Sequence, residues 1–186
     1  MNIAFVLSFL IISSFLVQNI CSEQAYRLMH EKAELVFYQK DAVEEDIKLI
    51  VKKINTTQIS VTFSIKMAID IVDRKIMSKV SVDRLHGMEY KHSGTSLTSN
   101  LCENWQKNAF GMKDMISKYG NLDVCTLKKG VTYYVNDFIA DSSNFPTFLP
   151  YGSYKIVIDI YYQNTTITYP LFLIHWYAKV EKLMKF

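Results

Sequence analysis

Apolar and polar positions alternate through most of this chain. From Gln58 to Ile65 the apolar residues Ile59, Val61, Phe63 and Ile65 fall on one face, the period of two that marks a half-buried β-strand. The same parity continues through Met67, Ile69 and Ile71, which predicts one long or bent strand. Glu34 to Tyr38 is a short β-type run, and Ile47 to Ile54 follows with mixed periodicity. Ile76 to Leu85 alternates again, with Ile76, Ser78, Val80 and Val82 set against Met77, Lys79 and Ser81. Met88 to Ser99 is polar, contains Gly94, and reads as a loop or an edge. Val131 to Val135 forms a strand, and Asn136 to Tyr151 a loop containing Pro146 and Pro150. Tyr154 to Tyr162 places Tyr154, Ile156, Ile158, Ile160 and Tyr162 on one side, with Lys155 and Asp159 opposite. Gln163-Asn164-Thr165 then supplies a turn, and Thr166 to Lys179 returns as the hairpin partner. Pro170 lies inside that return and removes a ladder donor, so an edge or a bulge is expected there.

One segment changes period. Asn100 suits a helix N-cap, and Leu101, Trp105, Met112 and Ile116 recur at helical spacing through Tyr119 before Gly120 ends the run. Gly111 weakens its middle by about 1 kcal/mol relative to alanine. The pattern predicts one helix between strands of a mainly β, antiparallel domain.

The N-terminus adds a compartment. Met1 to Val17 is apolar and carries no Lys or Arg, within the range of a secretory h-region and too short for a membrane span. A signal peptide over residues 1–22 is expected, cleaved after Cys21 or Ser22, leaving residues 23–186 as a single secreted domain; a signal anchor is the alternative. Removal of Cys21 leaves Cys102 and Cys125 as an even pair in an oxidising compartment. That favours a disulfide over two buried free thiols. No CxxC or HxxxH spacing supplies a zinc site. With 21 basic and 18 acidic residues scattered along the chain, nothing points to nucleic acid.

Candidate chemistry is sparse. No GxSxG, HExxH, P-loop or GxGxxG sequence is present. His30, His86, His92 and His175 sit in unrelated contexts, and His175, between Ile174 and Trp176, reads as a hydrogen-bonded core or interface histidine. No cofactor is implied. Two sequons, Asn55-Thr-Thr and Asn164-Thr-Thr, fall at predicted turns, where a glycan would stay in water. The remaining signal is aromatic. Trp105, Phe110, Met112 and Met115 lie on or near the helix, and Phe138, Phe145, Phe148 and Tyr151 in the Pro-containing loop. Core packing accounts for any one of them, but loops run over surfaces, and an apolar rim there suits a cavity mouth or a partner surface.

Asn100-Leu-Cys102, Cys125-Thr-Leu-Lys-Lys-Gly130, the Tyr133-Tyr134 strand and Leu149-Pro-Tyr-Gly-Ser-Tyr-Lys155 recur in an order that resembles the insect chemosensory protein B group and its secreted relatives. That group is similar to the ganglioside-activator and ML-type lipid-recognition proteins. The resemblance covers roughly residues 95–162, with Thr126 where the group carries a proline. It implies an immunoglobulin-like β-sandwich or β-cup whose two sheets part to admit an acyl chain or other apolar ligand. It also implies an extracellular role in taste or pheromone perception, with a membrane receptor or channel as the protein partner. The expected ligand-binding residues are Phe63, Ile65, Ile158, Ile160 and Tyr162 on the strands, with Trp105, Phe110, Met112, Phe145 and Phe148 near the mouth. The competing reading is a secreted interaction module, a receptor co-factor or host-directed protein, with a filled core.

Overall fold

The computed structural model describes residues 26–45, 47–71, 75–140, 149–163 and 168–183. The expected signal peptide lies outside them. Among the described residues, eight strands form two sheets. β1 (Tyr26–Tyr38), β4 (Ile76–His86), β5 (Glu89–Asn100), β7 (Gly152–Gln163) and β8 (Thr168–Lys182) make a five-stranded sheet in the order β1-β8-β7-β4-β5. β2 (Lys48–Lys53), β3 (Ile59–Lys66) and β6 (Thr132–Phe138) make a three-stranded sheet in the order β2-β3-β6. Every strand pair is antiparallel. The main apolar cluster joins the sheets, with Ile65 and Tyr133 from the smaller packing against Ile76, Leu171 and Phe172 from the larger. The architecture is the expected β-sandwich with short helices between strands.

The alternating runs form the strands they predict, with revised ends. Met67 and Ile71 keep the buried parity of β3, but they sit in isolated bridges to Val43 and Leu127 after the strand has ended. Polar Met88 to Ser99 becomes the edge strand β5. β6 runs on to Phe138, beyond its expected end at Val135, with Asp137 in a left-handed conformation (φ 49°) at an irregular step. At Pro170 the expected bulge appears. Tyr161 pairs with Pro170 and Ile160 with Phe172, so Leu171 is the extra residue, and both Leu171 and Phe172 are buried.

The single expected helix is two. α1 (Leu101–Gln106) and α2 (Met112–Ser117) are separated by a 3-10 turn at Ala109–Gly111. Asn108 (φ 50°) and Gly111 (φ 68°) both adopt the left-handed conformation, which no α-helix continues through. Asn108 holds the break open with its amide, donating to Asp114 Oδ2 at 2.7 Å and accepting from the Asp114 N–H at 3.2 Å. Asn100 caps α1 as expected, accepting from the Glu103 N–H at 2.9 Å.

Beyond α2 the chain lies against the edge of β6. The Asn121 N–H donates to Tyr134 O at 3.1 Å and the Asn136 N–H to Tyr119 O at 2.8 Å. The Asn121 side chain adds two bonds, to Thr132 O at 3.0 Å and from the Tyr134 N–H at 2.8 Å. The Cys102–Cys125 disulfide then ties α1 to the turn that follows, closing a separation of 23 residues. A loop of that size corresponds to about 3 kcal/mol of stabilisation in the chain-entropy treatment. The Cys102→Ala/Cys125→Ala double variant is expected to lose about that much in denaturant titration, with the m-value rising as the unfolded chain expands. A loss under about 1 kcal/mol would show that the packing of α1 alone holds this segment.

Candidate functional site: an apolar cavity between the sheets

Alternation on facing strands puts one apolar face of each sheet toward the other, and the two faces do not close completely. A cavity of about 250 Å³ lies between them. Val61, Phe63 and Ile65 of β3 and Val135 and Phe138 of β6 line one side. Ile158 and Ile160 of β7 and Leu171, Phe172, Ile174 and Trp176 of β8 line the other. Leu101 of α1, Ile116 of α2, and Leu122, Val124 and Leu127 from the stapled connection close a flank. The disulfide therefore anchors a segment that forms part of the wall.

Every lining residue is apolar, and the single polar side-chain group among them, the Trp176 indole N–H, is committed to His30. No acid, base or nucleophile faces this space among the described residues. The chemistry available is burial, at about 25 cal/mol per Å² of apolar ligand surface removed from water. Among the described residues no cluster of three His, Cys, Asp or Glu could hold a metal ion, and no helix is long and apolar enough to cross a membrane.

The expected ligand residues divide. Phe63, Ile65, Ile158 and Ile160 line the cavity. Tyr162 packs against the main apolar cluster and is not part of the wall. Trp105 is buried, and Met112 partly so, but neither reaches the cavity. The broken helix turns Leu101 and Ile116 toward it instead. Phe145, Phe148 and Asn164, with the Phe110 side chain, lie outside the described residues. Asn55 is exposed in the β2–β3 turn, where its Oδ1 accepts from the Thr57 N–H, the Thr57 hydroxyl and the Gln58 N–H at 2.8–2.9 Å.

Sequence reasoning left Leu171, Phe172, Ile174 and Trp176 out of the site. Ile174 and Trp176 carried a usable signal, because they alternate with His175 on a strand. The same alternation places His175 on the outer face, edge-on to Tyr177 with ring centroids 6.4 Å apart, so it is not a core residue of the cavity. Burial lowers the His175 pKa there, helped by nearby Lys155. Lys155 also pairs with Asp83 at 2.8 Å and keeps that carboxyl below its usual range. The outer face of the large sheet is thus charged and aromatic where the inner face is apolar.

His30 reaches the inner face through a bulge. Ala33 pairs with Trp176, but His30 pairs with Ala178, with a register shift between His30 and Lys32. The added residue reverses the parity of the β1 N-terminal end, so His30 falls on the same face as Trp176. The rings meet edge-on with centroids 5.6 Å apart, and the indole N–H donates to His30 Nδ1 at 2.9 Å. Burial holds the imidazole pKa below its ordinary value.

Comparison with known proteins returns no matching family model and no matching curated relative.

Proposed function

We propose that this chain is a secreted, non-enzymatic carrier of a small apolar ligand, a semiochemical or a single acyl chain, serving taste or pheromone perception. The observation that carries the reading is the wholly apolar cavity of about 250 Å³ between the sheets. An apolar void of roughly 150 Å³ already takes up benzene-sized guests, and pockets for drug-sized ligands begin near 300 Å³. The size therefore favours one short chain or a compact hydrocarbon over a diacyl lipid. The extracellular chemosensory setting, and a membrane receptor or channel as the recipient, rest on the order of the Cys125 to Tyr154 motifs and on the apolar leader.

A straight-chain alcohol series displacing the apolar fluorophore phenylnaphthylamine tests the reading. Each added methylene is worth about 0.8 kcal/mol, so affinity should rise about fourfold per carbon until the cavity is full, and then level off. Val61→Phe, which fills the wall of β3, is expected to weaken binding by at least about tenfold with little change in fold. Native mass spectrometry and organic extraction of protein from eukaryotic cells should yield a co-purifying apolar molecule. No extractable ligand and no fluorophore binding would sink the carrier reading.

A further inference from the structure

Trp176 stands between two spaces. Its indole lines the apolar cavity, while His30, its hydrogen-bond partner, lines a second pocket of about 210 Å³ with Arg27, Thr57 and Gln58. The pair is therefore a partition between an apolar chamber and a polar one. Its chemistry is directional. An indole N–H only donates, so His30 Nδ1 must accept and the ring must be neutral, with its proton on Nε2. Protonation places a second N–H against the first and turns attraction into repulsion.

We propose that the Trp176–His30 hydrogen bond is an acid-labile gate between the apolar cavity and the polar pocket, closed while His30 is neutral and opened by its protonation. The inference rests on the cavity being the ligand site. Groups around His30 leave it free to switch in this way. From β1, Arg27 is the charged side chain of the polar pocket, and Glu181 of β8 holds it at 2.9 Å; Tyr26 is buried beside it. The β2–β3 turn contributes neutral Thr57 and Gln58, and Thr57 O accepts the His30 backbone N–H at 3.0 Å, which keeps the strand in place while the ring titrates. Glu31 and Lys32, the neighbours on β1, are exposed. The sign follows from burial. The folded-state pKa lies below the unfolded one, so the neutral pair's contribution is complete above the unfolded value of about 6.5 and is lost as pH falls through the folded value.

Two measurements separate the gate from the carrier. Without ligand, NMR of the Trp176 indole N–H and the His30 ring nitrogens should show the Nε2–H tautomer at neutral pH and joint loss of both signatures on acidification. With phenylnaphthylamine, the dissociation constant should rise about tenfold or more between about pH 7.5 and pH 5, mainly through faster release. His30→Asn keeps an acceptor near the Nδ1 position without titrating, and should bind the fluorophore with little pH dependence over the same range. Trp176→Phe keeps a ring in the wall without the N–H, and should release quickly at every pH. An Nδ1–H tautomer at neutral pH, or His30→Asn with the pH dependence of the unmodified protein, would overturn the gate. Failure of the fluorophore to bind at any pH would instead remove the carrier reading, leaving the NMR titration to decide the coupling.

Discussion

Gly120→Ala is expected to destabilise the protein by about 4 kcal/mol, the four hydrogen bonds it puts at risk being worth about 1 kcal/mol each. A Cβ built at Gly120 would stand 1.8 Å from Tyr134 O and 2.9 Å from Val135 Cα, both backbone atoms that no rotamer change can move aside. The chain from Tyr119 to Asn121 must then leave the edge of β6. Leaving breaks the Asn121 and Asn136 N–H bonds and both bonds of the Asn121 side chain. Leu122, part of the cavity wall, would follow. Asn121→Ala should cost about half as much, since it removes the two side-chain bonds and leaves the backbone pair. Denaturant titrations of both variants provide the check. A Gly120→Ala loss below about 1 kcal/mol would mean that this segment is not held against β6 as described.

Leu171→Ala is expected to cost a similar amount, about 4 kcal/mol, toward the upper end of what leucine truncations cost in cores. Leu171 is fully buried and already faces the cavity. The cost of truncation depends on how far the surroundings collapse into the space. Here the new void joins an existing one between two hydrogen-bonded sheets, so little collapse is available. The same geometry predicts a rescue. An apolar ligand that fills the enlarged cavity should restore part of the loss by mass action, about 2.7 kcal/mol at one hundred times its dissociation constant. Leu171→Met, which conserves volume, should cost under about 1.5 kcal/mol. Calorimetry with and without decanol would show both effects. A loss of about 1 kcal/mol or less for Leu171→Ala would indicate that the sheets close over the gap.

The two variants probe different layers of legibility. Gly120 could be read from sequence only as the end of a helical run. Its actual requirement is the close approach of another strand, which no local pattern encodes. Leu171 and Phe172 are adjacent, and a period of two puts adjacent residues on opposite faces; the bulge at Pro170 lets both turn inward. Pro170 announced an irregularity without saying which side chains it would re-aim. Phe63, Ile65, Ile158 and Ile160 were legible because their strands alternate without interruption between the bulges. Trp105 and Met112 were misplaced because helical spacing assumed a continuous helix, whereas Asn108 and Gly111 break it and rotate the two halves independently.

The sequence by itself determined the β class, most strand positions, the Asn100 cap and the availability of the Cys102–Cys125 pair, because each depends on local periodicity or on residue chemistry. Tertiary structure decided that two apolar faces meet with a space left between them, and which side chains bound it. It also decided that a bulge in β1 brings His30 to Trp176, although the two are 146 positions apart. Register and sheet order arise from the whole chain packing at once, and a pattern read along one strand cannot contain them.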